Sequence, residues 1–532
     1  MDETAEGGLP SQFQLFRPLA CDTAPALPQN VKSEDTWMTC RFGDRLHNRF
    51  ALRQPLNASS LRPVKDRSVR LALTCFSLAL FNMAHAQDLR FTTSIQTRNG
   101  ISMQWSNAVP GQSYTLQSRD RMTNSIWLTL DSPEPWPTVQ TQWNDTILST
   151  QLMCLYRVVA VPPANRGKLL SSNLVGFYST GTLDFFFRIY GVNITAQYGV
   201  NWYQVVYETI DPLGGRTTAS GGLFLPVQTG IDWPLLSYSH GIVTQTNQVP
   251  SVTLTEDTFA GLAFASVGYA SVGADLLGLG SSPGLHPYLH ARSEATASVD
   301  MLRAARNFCA SNSVGLNGQV FLAGYSQGGH TAMALHRELE RYHTNEFTVT
   351  ASAPMAGPYD MSGVELNDIL STRCPPNPYS SAYALMAYQS VYALASSWSN
   401  LLVAPYASTI PPLFNGNTSG ATINGAMTAC NLSTILWPAV VSSLTNDPGS
   451  PLYQALRDND LYRWKPVAPT RLYHCSGDLD VLPANSQVAY NSFRAQGASQ
   501  VQLIDPQPGA DHSGCAIPSL EAAKAWFDTL KH

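Results

Sequence analysis

The fold of this chain is decided by the stretch Gln319-Val320-Phe321-Leu322-Ala323-Gly324-Tyr325-Ser326-Gln327-Gly328. Its first five residues form an apolar run typical of a buried strand, and the residues that follow Ser326 have a helical pattern. In between lies the pattern G-x-S-x-G, in which a sharp strand–turn–helix presents the serine hydroxyl. Glycines suit this turn because it leaves no room for a Cβ atom. The stretch therefore predicts that Ser326 is a nucleophile.

A second match to the same pattern occurs at Gly280-Ser281-Ser282-Pro283-Gly284. In this kind of turn the residue after the serine donates its backbone N–H to an oxyanion, and Pro283 has no N–H. No predicted strand runs directly into the turn either. We therefore interpret Ser282 as a loop residue.

A serine nucleophile needs a base, and the base needs a carboxylate that orients it. In the fold that carries this turn, the chain order is serine, acid, histidine. The best acids lie in the segment HCSGDLDVLP (residues 474–483), directly after a predicted strand. The best histidine is His512, in the loop after the strand predicted at 500–504. Three residues in the required order, each after a strand, predict a catalytic triad.

An oxyanion hole needs two backbone N–H groups. The first is predicted to come from Gln327, directly after the nucleophile. The second is expected from the loop after the strand at 234–239, where Gly241 permits close approach of the backbone to a ligand. We assign it to Ile242, with Gly241 and Val243 as alternatives.

Six segments together resemble the secretory lipases and esterases of the α/β-hydrolase superfamily. The resemblance runs from about Tyr203 to the C-terminus, and it implies a triad of Ser326, Asp480 and His512 beneath a helical cap that shapes an acyl pocket. The segments are His240-Gly241, DLLGLG at 275–280, His286-Pro287-Tyr288, GYSQG at 324–328, AGPYD at 356–360 and DHSGC at 511–515.

The acid loop departs from the pattern of that family, which usually reads G-x-x-D, then two residues, then Val-Pro. Here only Val481 and Leu482 separate Asp480 from Pro483, which is one residue short. Asp480 keeps the expected distance from Gly477. We therefore expect Asp480 to be the acid, with Asp478 as the alternative.

Strands and helices alternate from about residue 200 to 355 and again from 470 to 530, which predicts βαβ units and a mainly parallel sheet. An apolar, helical interruption at about 362–462 separates the two parts. Insertions of this length between two strands of one sheet are usually functional. We expect a cap over the site within one α/β-hydrolase domain (164–532), with an independent domain as the alternative.

Residues 87–163 contain short alternating strands separated by turn residues, a pattern that favours a small β-sandwich. The segment loosely resembles the fibronectin type III-like modules that are attached to exported enzymes. It could attach the enzyme to a surface or a polymer, but we favour a passive spacer.

Residues 64–86 have the pattern of a signal peptide. Basic residues precede an apolar stretch too short to span a membrane, and Ala84-His85-Ala86 forms a cleavage site. This pattern predicts a secreted or periplasmic protein. Residues 1–63 have no sustained apolar periodicity, so we expect a disordered or non-native extension, with translation starting at Val64 from a GTG codon.

The composition, 44% hydrophobic and 13% charged with a net charge of -5, predicts a large core and gives no basic surface for nucleic acid. Six of the nine cysteines follow the cleavage site, which permits disulfides in an exported protein. Because the acid and His512 must meet, Cys475 and Cys515 could form a bridge, with two separate buried thiols as the alternative. No metal or cofactor is indicated.

The sequence thus predicts a secreted serine carboxylic ester hydrolase of the lipase or esterase type, acting on a small-molecule or lipid ester. Alternatives are a hydrolase of polymeric or aromatic esters, an exported serine peptidase, and a binding or adhesion protein with a hydrolase scaffold.

Overall fold

The computed structural model describes residues 90–97, 100–106, 111–122, 125–130, 136–145, 155–429 and 431–532. The predicted extension and signal peptide lie outside these residues. None of the helices in the described ranges is long and apolar enough to cross a membrane.

The N-terminal part of the described chain forms two antiparallel sheets, with strand orders β1-β2-β5 and β4-β3-β6. Met103 and Trp105 of one sheet and Tyr114 and Leu116 of the other form a shared apolar cluster. We call these strands the β-module; its resemblance to fibronectin type III modules stays a prediction. The strands are β1 (Arg90–Thr97), β2 (Gly100–Ser106), β3 (Ser113–Arg119), β4 (Leu128–Thr129), β5 (Gln142–Asp145) and β6 (Leu155–Val161).

A nine-stranded sheet follows, in the order β15-β14-β13-β12-β10-β11-β9-β8-β7. The pairs from β15 to β11 are parallel, and β9, β8 and β7 are added in antiparallel pairs. The prediction of a mixed α/β fold with a mainly parallel sheet is confirmed. The strands are β7 (Leu169–Tyr178), β8 (Val200–Ile210), β9 (Arg216–Pro226), β10 (Asp232–Ser239), β11 (Ala270–Ala274), β12 (Gly315–Tyr325), β13 (Val349–Met355), β14 (Thr470–Tyr473) and β15 (Val501–Ile504).

Four helices precede the long helical insertion between β13 and β14. The insertion, which we call the cap, begins with a π-helical turn (Met361–Glu365) and has its own buried apolar cluster. The first four helices are α1 (Thr180–Ile189), α2 (Glu256–Ser266), α3 (Ala291–Ser311) and α4 (Gln327–Tyr342). The cap helices are α5 (Leu366–Leu370), α6 (Tyr379–Tyr392), α7 (Tyr406–Thr409), α8 (Gly420–Ala426), α9 (Leu432–Ile435), α10 (Pro438–Asn446) and α11 (Pro451–Asp458).

Helices cover both faces of the sheet. Side chains of a strand point alternately to its two sides, so each strand packs against both layers of helices. Along β12, Phe321 and Ala323 pack with α1, α2 and the last helix of the chain, whereas Val320 and Leu322 pack with α3 and α4. The two helices after the cap are α12 (Ala484–Ala495) and α13 (His512–Asp528). The sheet is therefore buried on both sides, as its continuous apolar strands require.

His512 was expected in a loop, but it is the first residue of α13. The helix begins here because the side chain of Asp511 caps it, accepting a hydrogen bond from the backbone N–H of Gly514 at 2.8 Å. The imidazole is thus fixed at a helix N-terminus.

A disulfide joins Cys475, just after β14, to Cys515 in the first turn of α13. The predicted pairing is confirmed. It ties the loop that carries the candidate acids to the helix that carries His512. By contrast, Cys309 is a buried free thiol.

Replacing both Cys475 and Cys515 by alanine should lower the free energy of unfolding by about 2–4 kcal/mol, because the bridge closes a loop of about forty residues. Urea denaturation of the oxidised proteins measures the change. Cys309→Ala is the matched control, since it removes a buried thiol without removing a cross-link. A double variant no less stable than this control would contradict the prediction.

Candidate active site

Ser326 stands between the end of β12 and the start of α4, with a φ of 60° and a ψ of -121°. Such a conformation is unfavourable for a residue with a Cβ and persists only where the surroundings enforce it. Here the backbone N–H of Ser326 donates to the carbonyl of Met355 at 3.0 Å. The strained turn therefore presents the hydroxyl above the ends of the parallel strands.

Two glycines make this turn possible because backbone crowds them. A Cβ on Gly324 would lie 2.3 Å from the carbonyl oxygen of Gly328, and one on Gly328 would lie 2.0 Å from that of Ser239. Neither position has room for a side chain. The G-x-S-x-G pattern is thus required by close contact between the turn and the neighbouring strand.

His512 faces the serine. Its Nε2 lies 2.9 Å from the Oγ of Ser326, within hydrogen-bond distance. The hydroxyl of Tyr325 donates to the backbone carbonyl of His512 at 2.5 Å, and the two rings pack with centroids 5.1 Å apart. Tyr325, the residue before the serine, therefore helps to hold the imidazole of His512.

The carboxylate that meets His512 belongs to Asp478. Its Oδ2 lies 2.6 Å from Nδ1 of His512 and 3.2 Å from Nε2 of His474. Its Oδ1 accepts the backbone N–H groups of Asp480 and Val481 at 2.9 and 3.0 Å. Both oxygens of this buried side chain are thus satisfied, in the arrangement that orients a catalytic imidazole.

The surroundings of Asp478 keep it ionised. Burial by itself would raise the pKa of this carboxyl, but hydrogen bonds from His474 and His512 outweigh burial and lower the pKa well below its usual range. The carboxylate can therefore stabilise an imidazolium on His512 without taking its proton.

The prediction that Asp480 orients His512 is wrong. The carboxylate of Asp480 is partly exposed and accepts the side-chain amide of Asn377, which lies 3.0 and 3.1 Å from its two oxygens. The prediction counted forward from Gly477, which leads to Asp480. Counting back from Val481 leads to Asp478 instead, because two residues then separate the aspartate from the valine, as in the family pattern. The missing residue between Asp480 and Pro483 was the feature of the sequence that argued against Asp480.

The two residues predicted to form the oxyanion hole lie near the serine. Gln327 opens α4, and the first N–H groups of a helix have no partner within the helix. Its side-chain amide nitrogen lies 3.0 Å from Oε1 of Glu294 and 2.8 Å from Nε2 of His286, which fixes the residue. Of the alternatives, Gly241 already donates its N–H to Asp257 at 3.1 Å. Ile242 lines the same pocket as Ser326.

This pocket has an apolar wall and a polar side. Trp398 and Tyr406, two large aromatic residues of the cap, do not line it; they pack against the core of the cap. On the polar side are Asn377, Tyr379 and Asp480. The apolar wall comes mainly from the cap and includes Leu366, Leu385, Leu432, Leu444, Leu452 and Leu456.

Glu365, at the end of the π-helical turn, also lines the pocket. Burial raises the pKa of its carboxyl to about 7, although the side-chain amide of Asn485 donates to it at 2.6 Å. Near neutral pH this group is therefore partly protonated. An acidic side chain facing the pocket in this state is a hydrogen-bond donor as well as an acceptor.

Comparison with solved structures identifies the family. LipA of Xanthomonas oryzae, a rice cell wall degrading esterase, is 32% identical over 69% of this chain and 98% of its own, with a TM-score of 0.61. The chain belongs to the esterase and lipase family of the α/β-hydrolases. A provisionally named hydrolase of Legionella pneumophila is 27% identical over 68% of this chain and 98% of its own, with a TM-score of 0.64.

A more distant solved structure shares the fold alone. Candida antarctica lipase A in its closed state is 16% identical over 69% of this chain and 83% of its own, with a TM-score of 0.52. No protein-family model and no curated protein sequence matches the chain. The family assignment therefore rests on structural likeness together with the identity to LipA.

Replacing Asp478 and Asp480 one at a time should show which of them orients His512. Asp478→Asn should lower kcat by about 10³–10⁴-fold, because the imidazole loses the carboxylate that orients and stabilises it. The isosteric control Asp480→Asn should change kcat by less than about threefold, since its carboxylate does not touch His512. Steady-state kinetics on one nitrophenyl ester measures both. A larger loss in Asp480→Asn would contradict the assignment.

Glu365→Gln should stabilise the protein at alkaline pH. Because the pKa of Glu365 is raised from 4.5 to about 7, its contribution to folding is present at acidic pH and is lost as pH rises through this window. Glutamine keeps the acceptor for Asn485 and cannot ionise. The Tm difference from the unmodified protein should be positive above about pH 8 and near zero below about pH 4. A pH-independent difference would contradict the prediction.

Proposed function

We propose that this chain is a serine carboxylic ester hydrolase of the lipase or esterase type. The observation that carries the proposal is the continuous contact from Ser326 through His512 to Asp478, with the serine hydroxyl facing a pocket with an apolar wall. Family membership supports ester hydrolysis, and an apolar wall suits an acyl chain.

The proposed reaction proceeds through an acyl-enzyme. His512 takes the proton of Ser326 as the oxygen attacks the ester carbonyl, and the backbone N–H groups of Gln327 and Ile242 bind the resulting oxyanion. His512 then gives the proton to the leaving alcohol. A water molecule, activated by the same imidazole, attacks the acyl-enzyme and releases the acid.

A second candidate is the hydrolysis of esters attached to a polymer. The similarity to LipA, a rice cell wall degrading esterase, favours it over the peptidase alternative. The polar side of the pocket supports an alcohol part richer in hydrogen-bonding groups than a simple alkyl ester. Both candidates use the same serine and the same acyl-enzyme, so they differ in substrate and not in mechanism.

The finer organisation remains part of the proposal. We propose a signal peptide at 64–86, a secreted or periplasmic enzyme, and a β-sandwich at 87–163 before an α/β-hydrolase domain at 164–532. Recovery of mature protein that begins shortly after Ala86 supports export. Protein that retains residues 1–63 after export contradicts the proposed start at Val64.

Ser326→Ala should abolish both ester hydrolysis and labelling by a fluorophosphonate probe while leaving the Tm nearly unchanged, because the side chain is the attacking group. Ser282→Ala is the matched control from the second G-x-S-x-G match and should keep both. The assays are mass spectrometry of the labelled peptide and hydrolysis of nitrophenyl esters of increasing acyl length.

Labelling at Ser282, or esterase activity that survives Ser326→Ala, would contradict the proposed nucleophile. An unlabelled and inactive chain would favour the binding or adhesion alternative. Cleavage of peptide nitroanilides in place of esters would favour the peptidase alternative.

A further inference from the structure

The β-module contacts the cap at the two helices that carry part of the pocket wall. The guanidinium of Arg121, after β3, forms a bidentate ion pair with the carboxylate of Asp447, after α10, with N–O distances of 2.8 and 2.7 Å. A Cβ on Gly449 in the same loop would lie 2.1 Å from this guanidinium. The connection between α10 and α11 is therefore held closely by the module.

Residues 125–129, which we call the bracing segment, alternate between the module and the cap. Ile126, only 3% exposed, and Leu128 belong to the apolar cluster of the cap. Between them, the ring of Trp127 lies under the guanidinium groups of Arg119 and Arg157, at 4.7 and 4.5 Å from its centroid. This alternation is that of an extended chain, whose successive side chains point in opposite directions.

The bracing segment also reaches the outer side of α11. The backbone N–H of Ile126 donates to the side-chain carbonyl of Gln454 at 3.3 Å. At 100° per residue, Gln454 lies on the face of α11 opposite Leu452 and Leu456. Those two leucines line the pocket with Ser326. The module thus holds one face of the helix while the other face forms the pocket wall.

The module is fixed to the sheet as well. The hydroxyl of Thr115 donates to the carbonyl of Leu213 in the turn between β8 and β9 at 2.6 Å. The guanidinium of Arg292 on α3 lies 5.2 Å from the ring of Trp136, and Arg166 donates to the carbonyl of Trp136 at 3.3 Å. Because both ends are anchored, the module can transmit the position of the sheet to the cap.

We propose that the β-module sets the acyl-chain preference of the site by holding α10 and α11 in place, with Arg121 and Ile126 as positioning residues. This inference rests on the proposed ester hydrolysis and assigns the module a role beyond spacing or attachment. Without the contacts of the β-module, α10 and α11 could shift, and the wall formed by Leu444, Leu452 and Leu456 would no longer be held in place. Long acyl chains, which need the whole wall, would be affected most.

The first test is Ile126→Ala in the full chain, with Met122→Ala as the matched control, because Met122 lies in the same module and is 66% exposed. Ile126→Ala should lower kcat/KM for a dodecanoate ester about tenfold and for an acetate ester less than about twofold, because only the longer chain uses the far wall. The control should keep the profile of the unmodified protein. A parallel loss for all esters, or an unchanged profile, would overturn the proposal.

The second test exchanges the ion pair. Arg121→Asp and Asp447→Arg should each shift the chain-length profile in the same direction as Ile126→Ala. The double variant, which restores opposite charges, should recover most of the original profile. Single variants without a shift would overturn the role of the pair.

Hydrogen exchange of α10 and α11 gives a measurement that does not depend on activity. Faster exchange in both helices in Ile126→Ala, but not in Met122→Ala, supports the brace, and unchanged exchange overturns it. If the unmodified chain hydrolysed no ester, the proposed function would fail while this measurement still decided whether the module holds the cap.

Discussion

The site depends on one close contact between the turn at Ser326 and the strand beside it. Gly328 lies against the backbone of Ser239 so tightly that any side chain would collide with it. This contact fixes where α4 begins, and therefore where the hydroxyl of Ser326 and the N–H of Gln327 point. Because protein interiors are close-packed, a shift here would be passed on to the strands and to the loop that carries Ile242.

His512 and Asp478 are brought to the serine by a second, covalent constraint. Asp478 lies three residues after Cys475, and His512 lies three residues before Cys515. The bridge thus joins two short segments whose remaining freedom is removed by hydrogen bonds from His474, Tyr325 and the backbone. Three side chains from distant parts of the chain are in this way held within hydrogen-bond distance of one another, as the proposed proton transfer requires.

The sequence was sufficient to predict the sheet and the meeting of Ser326 with His512, because apolar periodicity and chain order report these directly. It was not sufficient for the acid. Asp478 and Asp480 are two residues apart in one loop, and which carboxylate turns toward His512 depends on the backbone N–H groups of Asp480 and Val481. That local hydrogen bonding is a property of the folded loop, and the spacing from Gly477 pointed to the wrong aspartate.

The sequence also could not predict which way the apolar side chains of the cap point. Composition could identify the cap as apolar, but it could not tell a pocket wall from a core. Trp398 and Tyr406 pack against the core of the cap, while leucines of α10 and α11 line the pocket. Short helices with apolar residues on several sides carry too little periodicity to resolve the difference.

The pocket wall and the core of the cap share residues. Leu444, Leu452 and Leu456 line the pocket and also belong to the apolar cluster of the cap. Selection for a roomier pocket therefore acts on the same atoms that keep the cap folded. Trimming such a leucine to alanine creates a cavity that costs about 2–5 kcal/mol. Directed evolution toward bulkier substrates should accordingly accumulate compensating substitutions in the β-module or the outer faces of α10 and α11, far from any bound ester.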